Sequence, residues 1–337
     1  MLERIFHAWE RHLAAVSDGD RVVRPFEWGL EWLGADGGAE VAPQQILHEW
    51  VDDAMADSAR FYDTPPTDDY DLDGEWLRFP SAYVSPHAEN NVVHARIFRP
   101  KGNGGPRRAV LVLPQWNADE EGHVGLCRLL ARFGLTALRL SLPYHDRRMP
   151  RELSRADYIV SANVARTAQV CRQAVLDSRR AIAWLDANGY ERLGILGTSL
   201  GSCLALLTAA HEPRLKVAAL NHISPFFADV VWEGLSTAHV RRGLDGHLDL
   251  DALRRFWMPI SPFPFLDRVR GKRILLVYAR YDLTFPVHLS RQLVDEFRRL
   301  RIDHELAVLP CGHYSSGIAP FSWMDGLILV RFLRRSL

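Results

Sequence analysis

The 337-residue chain carries 41 basic and 41 acidic side chains, for a formal net charge of zero, and is 47% hydrophobic and 24% charged. Such a composition excludes wholesale disorder, and the balanced charge gives no overall basic footprint for nucleic acid. Its length suits one large domain, or one domain with an accessory piece. Cys127, Cys171, Cys203 and Cys311 lie apart, with neither the spacing of a metal site nor that of a disulfide framework. Mixed charges across Met1–Asp20 interrupt any signal-peptide core, and every apolar run falls short of the roughly 18 residues of a membrane span. The expected location is therefore cytoplasmic.

In chain order, residues 1–20 and 42–60 carry helix-like patches, with Ile5, Trp9 and Leu13 spaced for one helical face. The glycine-rich stretch Gly34–Gly38 and the Pro/Asp-rich run Phe61–Glu75 read as surface connections. Two strands follow, Glu75–Phe79 and Val92–Phe98. Ala109–Leu113 is a continuous apolar run of the kind buried between two helical layers. A helix over Glu121–Phe133 and a strand over Leu135–Leu140 come next. A long helix then spans Asn163–Leu185, with one inward stripe at three- and four-residue spacing. Strand Leu193–Leu196, helix Leu200–Ala210 and strand Val217–Leu220 precede a break in the rhythm. The segment 223–270 has no convincing strand and reads as a helical excursion over the sheet edge. Strand Ile274–Ala279, helix Val287–Leu300, strand His304–Leu309 and helix Phe321–Leu333 complete the chain. The alternation predicts an α/β fold, a mostly parallel sheet with helices on both faces.

Gly197-Thr198-Ser199-Leu200-Gly201 matches G-x-S-x-G between an expected apolar strand and an expected helix. A sharp strand-to-helix turn exposes the central hydroxyl, and Ser199 becomes the candidate nucleophile. A serine needs a histidine to take its proton, and that histidine needs an orienting carboxylate. Asp282 directly follows an expected strand in YARYD, and His313 directly follows another in CGHYS, in the required order. Asp229, inside the excursion, is the rival acid. The backbone N–H of Leu200 is one expected oxyanion donor, and that of Gln115 or Trp116 the second. Trp116, Tyr144, His145, His222, Phe226 and Trp232 are the expected pocket residues, with Phe227 and Trp257 as further cap aromatics. Arg147 and Arg148 are read either as an anion site or as salt bridges.

These blocks, GTSLG, YARYD and CGHYS, resemble the three catalytic blocks of the α/β-hydrolase superfamily over residues 75–337. A short PQWN turn stands where many esterases carry HGGG, so the chain looks more like the dienelactone-hydrolase and acetyl-xylan-esterase branch. It departs from dienelactone hydrolase in its elbow, where that enzyme uses cysteine. The SLPYHDRR segment is similar to a poorly characterised group of α/β-hydrolase-domain proteins with mitochondrial members. Three parts are expected: a helical N-terminal extension (1–74), an α/β-hydrolase domain (75–337) and, within it, a helical cap inserted at 223–270. The resemblance implies ester or related acyl-bond hydrolysis with no metal or organic cofactor. The expected activity is cleavage of a small or medium carboxylic ester through an acyl-enzyme. The alternatives are an amide, peptide or thioester hydrolase with the same triad, and a non-catalytic interaction protein on the same fold. The expected partner is a small-molecule ester or acyl substrate, not nucleic acid, with no transmembrane segment; a homodimer is an open option for assembly.

Overall fold

The structure, a computed structural model, describes residues 1–17, 19–34, 41–102 and 107–337. Apart from Gly34, the glycine-rich stretch Gly34–Gly38 lies outside them. The chain opens with helices α1 (Leu2–Ser17), α2 (Pro43–Ala56) and the short α3 (Ser58–Phe61). Strand β1 (Asp71–Asp73) then turns through Gly74 into β2 (Trp76–Pro80), so the expected surface connection ends in a short exposed hairpin strand. Strand β3 (Val92–Phe98) and strand β4 (Arg108–Leu113) follow, then α4 (Val124–Arg132) and β5 (Thr136–Leu140). Helix α4 starts later than expected. Residues 119–123 form a turn in which Asp119 accepts from the N–H groups of Glu121 and Gly122 (3.1 and 2.8 Å).

Helix α5 (Val164–Ala187) begins where the side chain of Asn163 accepts from Arg166 N–H at 2.9 Å, the N-cap arrangement that satisfies an orphan donor. Then come β6 (Arg192–Thr198), α6 (Leu200–His211) and β7 (Leu215–Asn221). Between β7 and β8 the chain forms α7 (Phe227–Glu233), α8 (Ala238–Leu244), α9 (Leu250–Phe256) and short 3-10 turns. It closes with β8 (Arg273–Ala279), α10 (Val287–Arg299), β9 (His304–Leu309) and α11 (Phe321–Ser336).

Among the described residues, nine strands form one sheet in the order β1-β2-β3-β5-β4-β6-β7-β8-β9. The first three are antiparallel to their neighbours, and from β5 through β9 every pairing is parallel. Side chains alternate between two cores, as strand geometry requires. Ala109, Leu111 and Leu113 of β4 enter the larger core with α5 and α6, whereas Val110 and Val112 enter the second core with α4 and α11. That is why β4 reads as an unbroken apolar run. The first helices pack against the rest of the chain: Leu47, Val51 and Tyr62 are buried, and Tyr62 Oη donates to Pro259 O at 2.8 Å. No helix among the described residues is long and apolar enough to cross a membrane.

Candidate active site

Parallel strands deliver their carboxyl ends to one edge, and the candidate residues collect there. The chain adopts positive φ at four successive exits: Asn117 after β4, Tyr144 after β5, Ser199 after β6 and His222 after β7 (φ 59, 64, 56 and 56). Each non-glycine residue held in such a conformation costs on the order of 1–3 kcal/mol, so the surrounding packing must over-determine it. At the elbow, Ser199 (φ 56, ψ −122) sits between β6 and α6. Gly197 and Gly201 permit that turn, because a Cβ on Gly197 would overlap the backbone of Gly201, and one on Gly201 would overlap the carbonyls of Leu113 and Pro114. Ser199 N–H donates to Asn221 O (2.8 Å), and Ser202 Oγ bridges Ser199 O and His222 O (2.6 and 2.9 Å). Leu200 N–H occupies the first position of α6, where no helical carbonyl reaches it.

Asp282, 2% exposed, accepts four hydrogen bonds. Its Oδ1 takes the N–H groups of Thr284 (2.8 Å) and Phe285 (2.7 Å), and its Oδ2 takes Nδ1 of both His313 and His222, each at 3.0 Å. Burial alone would raise the Asp282 carboxyl. The His313 charge and the two histidine hydrogen bonds overturn that and hold it well below the usual carboxylate range. With Nδ1 committed to Asp282, the basic nitrogen of His313 is Nε2. Its ring lies parallel to Phe285, 5.4 Å between centroids. Ser199 and His313 line one cavity, and no hydrogen bond joins their side chains. His222 is 1% exposed. Burial opposes its protonation, but the bond and charge of Asp282, with Asp325 and Glu10 behind, raise its pKa above the ordinary value.

The cavity measures about 1220 Å³. Trp116 and His222, two of the expected pocket residues, are in its wall, together with Gln115 and Leu200. Trp116 is clamped: Nε1 donates to Ala156 O (2.8 Å), and the ring stacks on His239 at 5.7 Å. Four expected pocket residues are elsewhere. Tyr144 is fully buried beside His87, to whose Nδ1 its hydroxyl is bonded at 3.0 Å. His145 is buried behind the PQWN turn, where Nδ1 donates to Pro143 O (2.9 Å) and Nε2 accepts from Asn117 N–H (3.0 Å). Burial pushes His145 down to about 4, which keeps that acceptor available. Phe226 packs on Phe263, and Trp232 lies under Arg241. Trp257 is core, its Nε1 bonded to Val164 O at 3.0 Å. Phe227, one of the expected cap aromatics, does face the cavity, together with Val230 and Val231 of α7. Their three- and four-residue spacing was the available signal, because a helix starting at Phe227 turns Phe226 away.

Asp229, the rival acid, is bound by Arg254 (2.7 and 3.0 Å). Arg147 pairs with Glu120, and buried Arg148 with Asp177 (2.8 Å), so both arginines form salt bridges. Among the described residues, His222, Asp282 and His313 are the one group whose donor atoms (within 4.8 Å of one another) could hold a metal ion. Nδ1 of each histidine is engaged in the 3.0 Å hydrogen bond to Asp282 Oδ2 that orients its ring. All four cysteines are free and buried, and burial pushes Cys127, Cys203 and Cys311 up to about 12, so these thiols are poor nucleophiles.

The family described as alpha/beta hydrolase domain containing 18 matches residues 89–240. A protein of Escherichia coli named as a carboxymethylenebutenolidase is 31% identical over 140 residues, covering 41% of this chain and 51% of that protein. A Yersinia pestis protein of the same name is 28% identical over 133 residues, 39% of this chain and 49% of that one. The chain thus spans about half the length of the curated relatives it matches. Among solved structures, the acetyl xylan esterase of a Paenibacillus species superposes with a TM-score of 0.61 at 18% identity, over 86% of this chain and 94% of that one. The Pyrococcus horikoshii acylaminoacyl peptidase gives 0.61 at 14% identity, over 80% of this chain and 42% of that one.

Proposed function

We propose that this chain is a serine hydrolase of carboxylic esters in the dienelactone-hydrolase and acetyl-xylan-esterase-like branch of the α/β-hydrolase superfamily. The observation that carries this reading is the pairing of an elbow serine with an Asp-oriented histidine in one cavity. His313 Nε2 takes the proton of Ser199 as its oxygen attacks the acyl carbon. The Leu200 N–H, with an N–H of the Gln115–Trp116 turn, receives the oxyanion; each well-aimed donor is worth roughly 3–4 kcal/mol. His313 then protonates the leaving alcohol, and water repeats the cycle on the acyl-Ser199 ester. Asp282 holds the imidazole in the Nδ1–H tautomer throughout. The cavity of about 1220 Å³, with Phe227, Val230 and Val231 in its wall, suits a medium acyl or alkyl group better than an acetyl group alone.

The test is covalent labelling by a fluorophosphonate probe. Wild-type protein is expected to label, and Ser199→Ala is expected not to. A folded wild-type protein that resists labelling overturns the reading. A series of p-nitrophenyl esters set against aminoacyl nitroanilides then separates ester from amide chemistry.

A further inference from the structure

Helix α1 is mostly exposed, yet Glu10 on it is 0% exposed. A carboxylate out of water is expensive unless its oxygens are bonded, and these are bonded to one turn. Oε2 accepts from Tyr314 N–H (2.8 Å), and Oε1 accepts from Ser315 N–H (2.9 Å) and from Ser315 Oγ (2.6 Å). Ser315 Oγ in turn accepts from Gly312 N–H at 2.9 Å. Every residue of Gly312–Ser315 except His313 is therefore tied to Glu10, directly or through one hydroxyl. Gly312 has no side chain because Glu10 already fills the space: a Cβ there would overlap Glu10 Cγ and Cδ.

The neighbouring contacts point the same way. Arg21, just past α1, donates to Tyr314 Oη (2.6 Å) and to Ser236 O (2.9 Å). Phe6 stacks on Tyr281, the residue before Asp282, with 4.5 Å between centroids and 10° between planes. The N-terminal segment thus grips both the histidine-bearing and the acid-bearing turn.

We propose that Glu10 is a positioning residue for His313: its carboxylate, delivered by the N-terminal helix, sets the Gly312–Ser315 turn and through it the aim of the imidazole at Ser199. The assignment rests on the serine-hydrolase reading above. A displacement of about 1 Å in a reacting group is enough to lower a rate roughly 100-fold. A turn held by three hydrogen bonds to one side chain controls shifts of that size.

The test uses full-length protein, the fluorophosphonate probe and p-nitrophenyl butyrate. Glu10→Gln keeps one acceptor oxygen and sets an amide donor against Tyr314 N–H. Its kcat is expected to fall at least about tenfold, well below its melting temperature, with KM within about twofold and labelling slowed in parallel. Glu3→Gln, exposed on the same helix, is expected to keep wild-type kcat. Ser315→Ala removes only the hydroxyl and is expected to lower kcat in the same manner but less. A folded Glu10→Gln protein with kcat within about twofold of wild type overturns the proposal. If Glu10→Gln does not fold, Ser315→Ala becomes the deciding variant, and an unchanged kcat there overturns the proposal. Loss of labelling in the wild type would instead refute the Ser199 reading, so the two failures are separate.

Discussion

Asp282→Asn removes a charge while keeping the shape of the side chain. The amide oxygen can still accept the N–H groups of Thr284 and Phe285, which hold Oδ1 at 2.8 and 2.7 Å. At the other position the amide nitrogen is a donor, facing two Nδ1–H groups that Oδ2 accepted at 3.0 Å. Both bonds are lost. Hydrogen bonds to an ionised group contribute about 1.5–3 kcal/mol each, so the variant should lose on the order of 3–6 kcal/mol, less what the rings recover by changing tautomer. That recovery is what disables the chemistry. To accept from the new amide, His313 must move its proton to Nε2, and it then has no lone pair for Ser199. By the same tautomer argument that governs serine-protease triads, kcat should fall about 10⁴-fold. The assay is steady-state hydrolysis of p-nitrophenyl butyrate with a melting curve on the same sample. Asp229→Asn, whose carboxylate is held by Arg254, serves as the matched control and should retain activity. A folded Asp282→Asn protein within about tenfold of wild-type kcat would refute the assignment of Asp282 as the orienting acid.

Acid should destabilise the protein in a defined window. Burial lowers His123 and His145 to about 4 in the folded chain, and His94, His211 and His239 shift the same way. Their folded pKa lies below the unfolded value, so stability is intact above about pH 6.5 and falls as pH drops towards 4, by up to about 1.4 kcal/mol per pH unit for each of the fully buried His123 and His145 and by less for the solvent-screened others. His222, raised, works in the opposite sense: its contribution is present at low pH and is lost as pH rises through its folded pKa. The lowered group is the larger, so the melting temperature should drop between about pH 6.5 and 4.5; a flat profile contradicts it. His145→Leu strips the acceptor from Asn117 N–H, bonded at 3.0 Å, and loosens the turn carrying Gln115 and Trp116. It should lower kcat about tenfold or more with a smaller effect on stability, measured in the same two assays.

The strand–helix alternation, the elbow and the order Ser199, Asp282, His313 were legible because each is a local pattern. An apolar run, a G-x-S-x-G turn and a polar residue just past a strand are all written within a few positions. The pocket wall was less legible. Tyr144 and His145 follow a strand at the correct edge, yet positive φ at Tyr144 and Asp146 turns the chain so that both rings go inward. Nothing in SLPYHDRR announces that. At α7 the helical phase selects Phe227 over Phe226, and the phase depends on where the helix begins.

By itself the sequence determined the layered α/β architecture, the edge at which chemistry collects, and the residue types available there, because these follow from periodicity and turn chemistry. Tertiary structure decided which of those residues meet. It placed His222 on the same carboxylate oxygen as His313, sent Asp229 to Arg254, and set Glu10 against Gly312 from the far end of the chain. Such pairings join positions tens to hundreds of residues apart. Their energy comes from desolvation and hydrogen-bond geometry that exist only once the sheet has brought its loops together.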